Sequence, residues 1–276
     1  MENAKGKSTE KLKEIAKEIR RQSLIMTNRA NSGHPGGSLS CAEILAVLFF
    51  HQMRYDARNP KWADRDRFVM SKGHATPALY AAMAEAGFFP KEELKTFRQI
   101  NSRLQGHASI YTPGIEICTG SLGQGLSVGN GMALAARLDG KNYKAYVIMG
   151  DGELQEGEVW EAAKTAAHYR LDNVTAIVDR NGLQENGPTE KLMRIEPLAD
   201  KLMAFGWHTI EVDGHNVNEL INAFELADSI KGKPKVIIAK TTKGKGVSFM
   251  ENVSAWHGKA PNEEQLKQAL QEIETM

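Results

Sequence analysis

The chain has 276 residues, 41% of them hydrophobic and 25% charged, and a formal net charge of +1, enough material for one large α/β domain or two small ones with a buried core. So balanced a charge leaves no electrostatic footprint for nucleic acid or an anionic membrane surface. The longest apolar run, ILAVLFF over residues 44–50, is far too short to cross a bilayer, which leaves small-molecule chemistry or a protein partner.

The N-terminal MENAKGKSTE is polar and leads into no apolar run, so the reading is of a soluble, cytoplasmic protein with a polar tail over about residues 1–8. Ser8 caps an amphipathic helix in which Leu12, Ile15, Ala16 and Ile19 recur at helical spacing, continuing to Met26. The pattern breaks at NSGHPGGS and resumes as a helix over 39–51. RFVM, 67–70, reads as a short strand running into SKGH, and small residues predict a helix over 76–86. Residues 105–131 hold seven glycines, and their second half turns into an Ala-rich helix able to pack closely on its neighbours. Strands then follow at 145–149, 174–178, 209–212 and 236–239, separated by helices at 158–168, 197–205 and 217–229. Alternation of this kind predicts an α/β fold with an open, mostly parallel sheet and helices on both faces. No repeat or linker divides the chain, so a single domain over 1–276 is expected, closing in a helix at 262–274 capped by Asn262. Cys41 and Cys118 offer neither metal spacing nor a disulfide framework, and both read as reduced and structural.

Open parallel sheets bind ligands beyond the carboxyl ends of their strands, and GDG, residues 150–152, falls at such an end. Gly150 and Gly152 allow a sharp turn and close approach, and the following helix points its positive end at any anion there. Asn181, in DRNGLQ, arrives thirty residues later at the end of the next strand. Oxygens of Asp151 and Asn181, with the Leu183 carbonyl, form a hard donor set for Mg²⁺ or Ca²⁺, and two diphosphate oxygens and a water would complete an octahedron. A phosphate gripped through a metal needs no phosphate-loop lysine. The same residues also read as two ordinary β-turns.

His34, His74, His107 and His257 sit beside glycine in loops, where an imidazole can approach a ligand and exchange protons near neutral pH. Any one of them taken singly also reads as a surface or capping residue. His215 follows glycine too but is expected only to open the helix from Val217, while His51, His168 and His208 are expected to be structural. No HExxH or similar spacing supports a zinc site.

In order along the chain, NSGHPGG, MSKGHATPALY, TGSLGQGLSVGNGMALA, MGDGELQEGEVWEAA with DRNGLQ, and TTKGKGVSFMEN with WHGKAP resemble the N-terminal, diphosphate-binding half of transketolase, over roughly residues 10–265. The GDG…N element is shared by thiamin diphosphate enzymes generally, whereas SGHPGG, GSLGQG and KGKGVSFME narrow the resemblance to the transketolase group. It implies that Asp151, Asn181 and the Leu183 carbonyl hold a divalent metal, Mg²⁺ or else Ca²⁺ or Mn²⁺. It implies also that His74, Gly152, Glu153, Asn181 and His257 bind the cofactor at its diphosphate end and that Gly120 and Leu122 lie along its thiazolium ring. Among the catalytic residues, His34 and His107 would face the reacting carbon and the sugar hydroxyls, His257 would close over the site, and Glu156 would link two cofactor sites across an interface. Ser121 stands where the family usually has proline, which costs some stiffness.

The implied activity is transfer of a two-carbon ketol unit from a ketose phosphate to an aldose phosphate with thiamin diphosphate, as in the pentose phosphate pathway. The family's cofactor-activating glutamate and most of its phosphate-binding arginines belong to a second domain that this sequence lacks. A C-terminal transketolase subunit is therefore the expected partner, two of each in a heterotetramer with a large apolar interface, and Met1 and the capped last helix favour a natural subunit. Other thiamin diphosphate subunits, similar to deoxyxylulose phosphate synthase or dihydroxyacetone synthase, and a catalytically silent cofactor-binding protein are the alternatives. A nucleotide-binding α/β protein fits poorly, because GSLGQG follows a loop rather than a strand.

Overall fold

The computed structural model describes residues 6–276, so residues 1–5 of the expected polar tail lie outside the described residues. Ser8 accepts a hydrogen bond from the Lys11 amide and opens α1 (Thr9–Arg29), as expected. The expected break after α1 is present at residues 30–34, but it ends within the SGHPGG stretch. Helix α2 (Pro35–Ser40) starts inside it, with Pro35 in the first turn where its missing N–H costs nothing, and α3 (Ala42–Val47) follows after Cys41. A wide turn over Leu48–Gln52 replaces the last part of the single helix expected at 39–51. The sequence pattern missed this early start because glycine argues against a helix on propensity. Here tertiary contact overrides propensity: a Cβ on Gly36 would lie 2.8 Å from the Trp256 carbonyl oxygen, and one on Gly37 would lie 3.5 Å from His74 Nε2.

Next come β1 (Arg67–Met70), α4 (Thr76–Glu85), α5 (Gln124–Leu138), β2 (Ala145–Gly150), α6 (Gly157–His168) and β3 (Val174–Arg180). A two-residue hairpin, β4 (Leu183–Gln184) and β5 (Gly187–Pro188), leads into the short α7 (Thr189–Leu192). The chain continues through α8 (Leu198–Ala204), β6 (His208–Asp213), α9 (Val217–Ser229) and β7 (Lys235–Lys240) to α10 (Glu263–Glu274), capped by Asn262 and Gln265 in a reciprocal box.

The main sheet has the order β1-β2-β3-β7-β6 with every pairing parallel. Side chains alternate across it. Phe68, Met70, Tyr146, Ile148, Ile177 and Ile237 join the layer of α1, α3, α4 and α9, whereas Val69, Val147, Met149, Val178 and Ile238 join α5, α6 and α8. Both faces are buried, so the strands read as continuous apolar runs, and helices cover both faces as the alternating pattern predicted. The Ala-rich α5 does pack closely: a Cβ on Gly129 would lie 2.5 Å from Val147 Cγ2. Among the described residues no helix is long and apolar enough to cross a membrane. Both cysteines are free and Cys41 is fully buried, but Cys118 is exposed, contrary to the expectation that both are structural.

Because the strands are parallel and in register, β2 and β3 end side by side, Gly150 opposite Asp179. That geometry delivers the GDG turn and the DRNG turn to one edge of the sheet.

Candidate functional site

At this edge lies a cavity of about 340 Å³. Its wall brings together every residue singled out by sequence: His34, His74, His107, Gly120, Leu122, Asp151, Gly152, Glu153, Glu156, Asn181, Leu183 and His257. Residues more than 200 positions apart thus meet because the α2 and β1 ends, the glycine-rich loop before α5, and the loop after β7 all converge on the carboxyl ends of β2 and β3.

Asp151 is 2% exposed. Its Oδ1 accepts the Gly152 amide at 2.8 Å, and its Oδ2 accepts the Gly182 amide at 2.5 Å and Arg180 Nη1 at 2.9 Å. Burial pushes its carboxyl above the usual range, helped by nearby Asp179 and opposed by Arg180. Asn181 Oδ1 accepts the Leu183 amide at 3.1 Å. Asp151 and Asn181 therefore both turn an oxygen toward the Gly182–Leu183 backbone. No cluster of three or more His, Cys, Asp or Glu able to hold a metal occurs among the described residues. One carboxylate, one amide oxygen and one carbonyl form a hard, oxygen-only set that leaves room for ligand oxygens, and it suits a small divalent cation carried with a diphosphate.

Sequence reasoning missed four charged groups beneath this set. Lys72 and Asp179 form an ion pair with side chains 2% and 0% exposed, and Lys72 also donates to the Gly37 carbonyl at 2.8 Å. Asp179 further accepts Ser40 Oγ at 2.6 Å and Asn181 Nδ2 at 3.2 Å, along with the Thr241 hydroxyl. Arg180 is gathered by Asp151, Glu190 and Glu196. Lys243 donates to the Leu183 carbonyl at 3.3 Å and meets His257 Nδ1 at 2.7 Å; burial brings its ammonium down to about 8. The available signals were lysines beside glycine in SKGH and TTKGKG, the same context that drew attention to the histidines.

Glu153 is 2% exposed, and its oxygens are already engaged. Oε1 accepts the Gly123 amide at 2.9 Å and the Ser71 hydroxyl, and Oε2 accepts the Gly150 amide at 2.9 Å. It ties the glycine-rich loop to the GDG turn. Gly120, at φ 143°, abuts His107: a Cβ there would lie 2.8 Å from the imidazole Cδ2. Glu156 and Leu122 are exposed at the rim.

The four loop imidazoles form one cluster. Ring centroids of His34 lie 5.2 Å from His74, 6.0 Å from His107 and 5.4 Å from His257, and His74 lies 4.9 Å from His257. Burial lowers each of them, and neighbouring cations add to it: His34 falls to about 4 and His257 to about 3, while His74 falls well below 6.5 and His107 falls as well. All four are therefore neutral at pH 7 and able both to accept and to donate a proton. Because the folded value of His34, about 4, lies below its ordinary 6.5, the unfolded chain binds the extra proton in that window. Stability accordingly falls as pH drops from 6.5 toward 4. An NMR titration should place the His34 midpoint near 4, and a midpoint near 6.5 would contradict this burial argument.

Parallel strands whose ends bring Asp and Asn oxygens, buried lysines and neutral imidazoles to one cavity define an α/β protein with a polar ligand site at the carboxyl edge of its sheet. The chain matches the family "Transketolase, thiamine diphosphate binding domain" over residues 11–274, and it belongs to that family. It is 46% identical over 261 residues to a subunit of the apulose-4-phosphate transketolase of Phocaeicola vulgatus, covering 94% of this chain and 93% of the relative. A 6-deoxy-6-sulfo-D-fructose transketolase subunit, SqwG, from a Clostridium species is 46% identical over 264 residues, covering 95% and 96%. Mouse transketolase is 48% identical over 263 residues, 95% of this chain but 42% of the relative. The transketolase structure from Campylobacter jejuni superposes with a TM-score of 0.92 at 37% identity, over 97% of this chain and 43% of that one. The chain thus spans less than half the length of the mouse and C. jejuni enzymes and nearly the whole of the two subunits.

Proposed function

We propose that this chain is the thiamine diphosphate-binding subunit of a two-subunit transketolase. The observation that carries the reading is the meeting, around one cavity, of the Asp151, Asn181 and Leu183 oxygens with four neutral imidazoles. When bound, thiamine diphosphate supplies the nucleophilic carbon and the electron sink for breaking and remaking a carbon–carbon bond. The chain's own residues supply the rest. Asp151, Asn181 and the Leu183 carbonyl would hold Mg²⁺, and Ca²⁺ or Mn²⁺ would suit the same oxygens. Lys72, Lys243, His74, Gly152 and His257 would bind the diphosphate end of the cofactor, with Glu153 fixing the GDG turn. Gly120 and Leu122 would lie along its ring. His34, His107 and His257 take up and return protons at the hydroxyls of a ketose phosphate donor and an aldose phosphate acceptor.

The chain forms one diphosphate-binding domain and works in the cytoplasm, in sugar phosphate interconversion of the pentose phosphate type. Its partner is a C-terminal transketolase subunit, assembled two of each, with exposed Glu156 and Leu122 on the side of the cavity that the assembly covers. The two subunit relatives, matched over 93% and 96% of their lengths, support this arrangement. Ketol transfer from xylulose 5-phosphate to ribose 5-phosphate should stay at background with this chain alone and appear when the partner subunit is added. Full turnover without a partner would refute the split arrangement, and absence of transfer in the complex would refute this sugar pair as substrates.

A further inference from the structure

His215 does not open α9. Asn216 does, its Oδ1 accepting the amides of Asn218 at 3.1 Å and Glu219 at 3.3 Å. His215 instead ends a buried chain that begins on α1. Arg20, 2% exposed, grips both oxygens of Glu43 at 2.6 Å and donates Nε to the Leu39 carbonyl at 3.2 Å. Glu43, on α3, also meets His215 Nδ1 at 3.1 Å, and the Thr242 amide approaches His215 Nε2 at 2.8 Å.

Those two contacts fix the proton. Arg20 keeps Glu43 ionised, its carboxyl held to about 2 by the guanidinium and by His215 despite burial. An ionised carboxylate only accepts, so Nδ1 carries the hydrogen, and Nε2 is left as the acceptor that a backbone N–H requires. Thr242 immediately precedes Lys243. On the far side, the Gly244 amide donates to the Gly36 carbonyl at 3.0 Å. The loop is therefore pinned on either side of Lys243, whose ammonium reaches Leu183 and His257 in the cavity.

We propose that His215 is a positioning residue: oriented by Arg20 and Glu43, it holds the Thr242 amide and so sets where Lys243 stands in the cofactor cavity. This rests on the cavity being the thiamine diphosphate site proposed above. It explains why a buried Arg–Glu pair that does not itself line the cavity is joined to a histidine at all. The pair gives the imidazole one tautomer, and the tautomer gives the loop its acceptor.

The test uses the full chain with its partner and the variants His215→Phe and His215→Gln. Phenylalanine leaves Arg20 and Glu43 paired but removes the hydrogen bonds to Glu43 and Thr242, so the chain should still fold, with a melting temperature lowered by about 2–4 °C. Loss of one backbone hydrogen bond corresponds to about tenfold, and amide exchange at Thr242 and thiamine diphosphate affinity in Mg²⁺ should each move by about that factor. Glutamine offers both a donor to Glu43 and an acceptor to Thr242, and should recover most of both. Imidazole ¹⁵N spectra of the unaltered chain should show Nδ1 protonated. The opposite tautomer, equal losses in both variants, or unchanged exchange and affinity in His215→Phe would each overturn the inference. Failure of the unaltered complex to bind thiamine diphosphate would end the cofactor reading instead, and exchange and tautomer would still decide the role of His215.

Discussion

Asp151→Asn should weaken thiamine diphosphate binding in Mg²⁺ by about 100-fold or more, since the proposed metal would lose its only formally charged ligand from this chain. The fold should survive. The asparagine amide oxygen can still accept one of the hydrogen bonds that Gly152, Gly182 and Arg180 donate to the present carboxylate, and Arg180 keeps Glu190 and Glu196 as partners. Asp151→Ala, which removes the oxygens altogether, should abolish metal-dependent binding. Calorimetric titration decides the matter: affinity within a few-fold of the unaltered chain would remove Asp151 from the metal site.

Lys72→Met should be the most destabilising single change near the cavity. Lys72 and Asp179 are buried together, and removing one member of such a pair strands the other, at a cost of about 3–5 kcal/mol. The pH dependence gives a second signature. In the unaltered chain burial works to raise the Asp179 carboxyl, but Lys72 and the hydrogen bonds from Ser40 and Thr241 override it and hold it below 3.8. A depressed folded value means that this stabilisation is present above pH 3.8 and is lost as pH falls through the folded value. Without Lys72 the hydrogen bonds from Ser40 and Thr241 remain but the largest influence opposing burial is gone, so Asp179 titrates upward, and the variant's deficit should shrink as pH is lowered from 7. Urea unfolding at pH 7 and pH 5 measures both effects. The double variant Lys72→Met with Asp179→Asn should recover much of the loss. A single variant within about 1 kcal/mol of the unaltered chain would show that the pair holds nothing.

Much of this was legible in sequence because the information was local. The strand at 67–70 and the helix at 217–229 agree with the structure to the residue, since a short continuous apolar run suits a strand covered on both faces and apolar residues at helical spacing suit an amphipathic helix. The Asp151, Asn181 and Leu183 set could be found because a parallel sheet delivers successive strand ends to one edge. What escaped was non-local. Helix α2 begins at Pro35 and carries Gly36, a position where a Cβ would collide with the Trp256 carbonyl oxygen. Propensity alone cannot show that tertiary demand. Lys72 and Asp179 lie 107 positions apart, and nothing in either neighbourhood announces the other. His215 looked like a helix opener because its role depends on Glu43, 172 positions away. Glu153 lines the cavity as the resemblance implied, but nothing in the sequence showed that its oxygens bind Ser71, Gly123 and Gly150.

The proposed cofactor site requires a metal held by the ends of β2 and β3. Crystals of the complex grown with thiamine diphosphate and Mn²⁺ test it directly through the anomalous signal of the ion. The predicted result is one peak within coordination distance of an Asp151 carboxylate oxygen, Asn181 Oδ1 and the Leu183 carbonyl, with Lys243 no longer bonded to that carbonyl. A diphosphate held by Lys72 and Lys243 with no peak between Asp151 and Asn181 would contradict it.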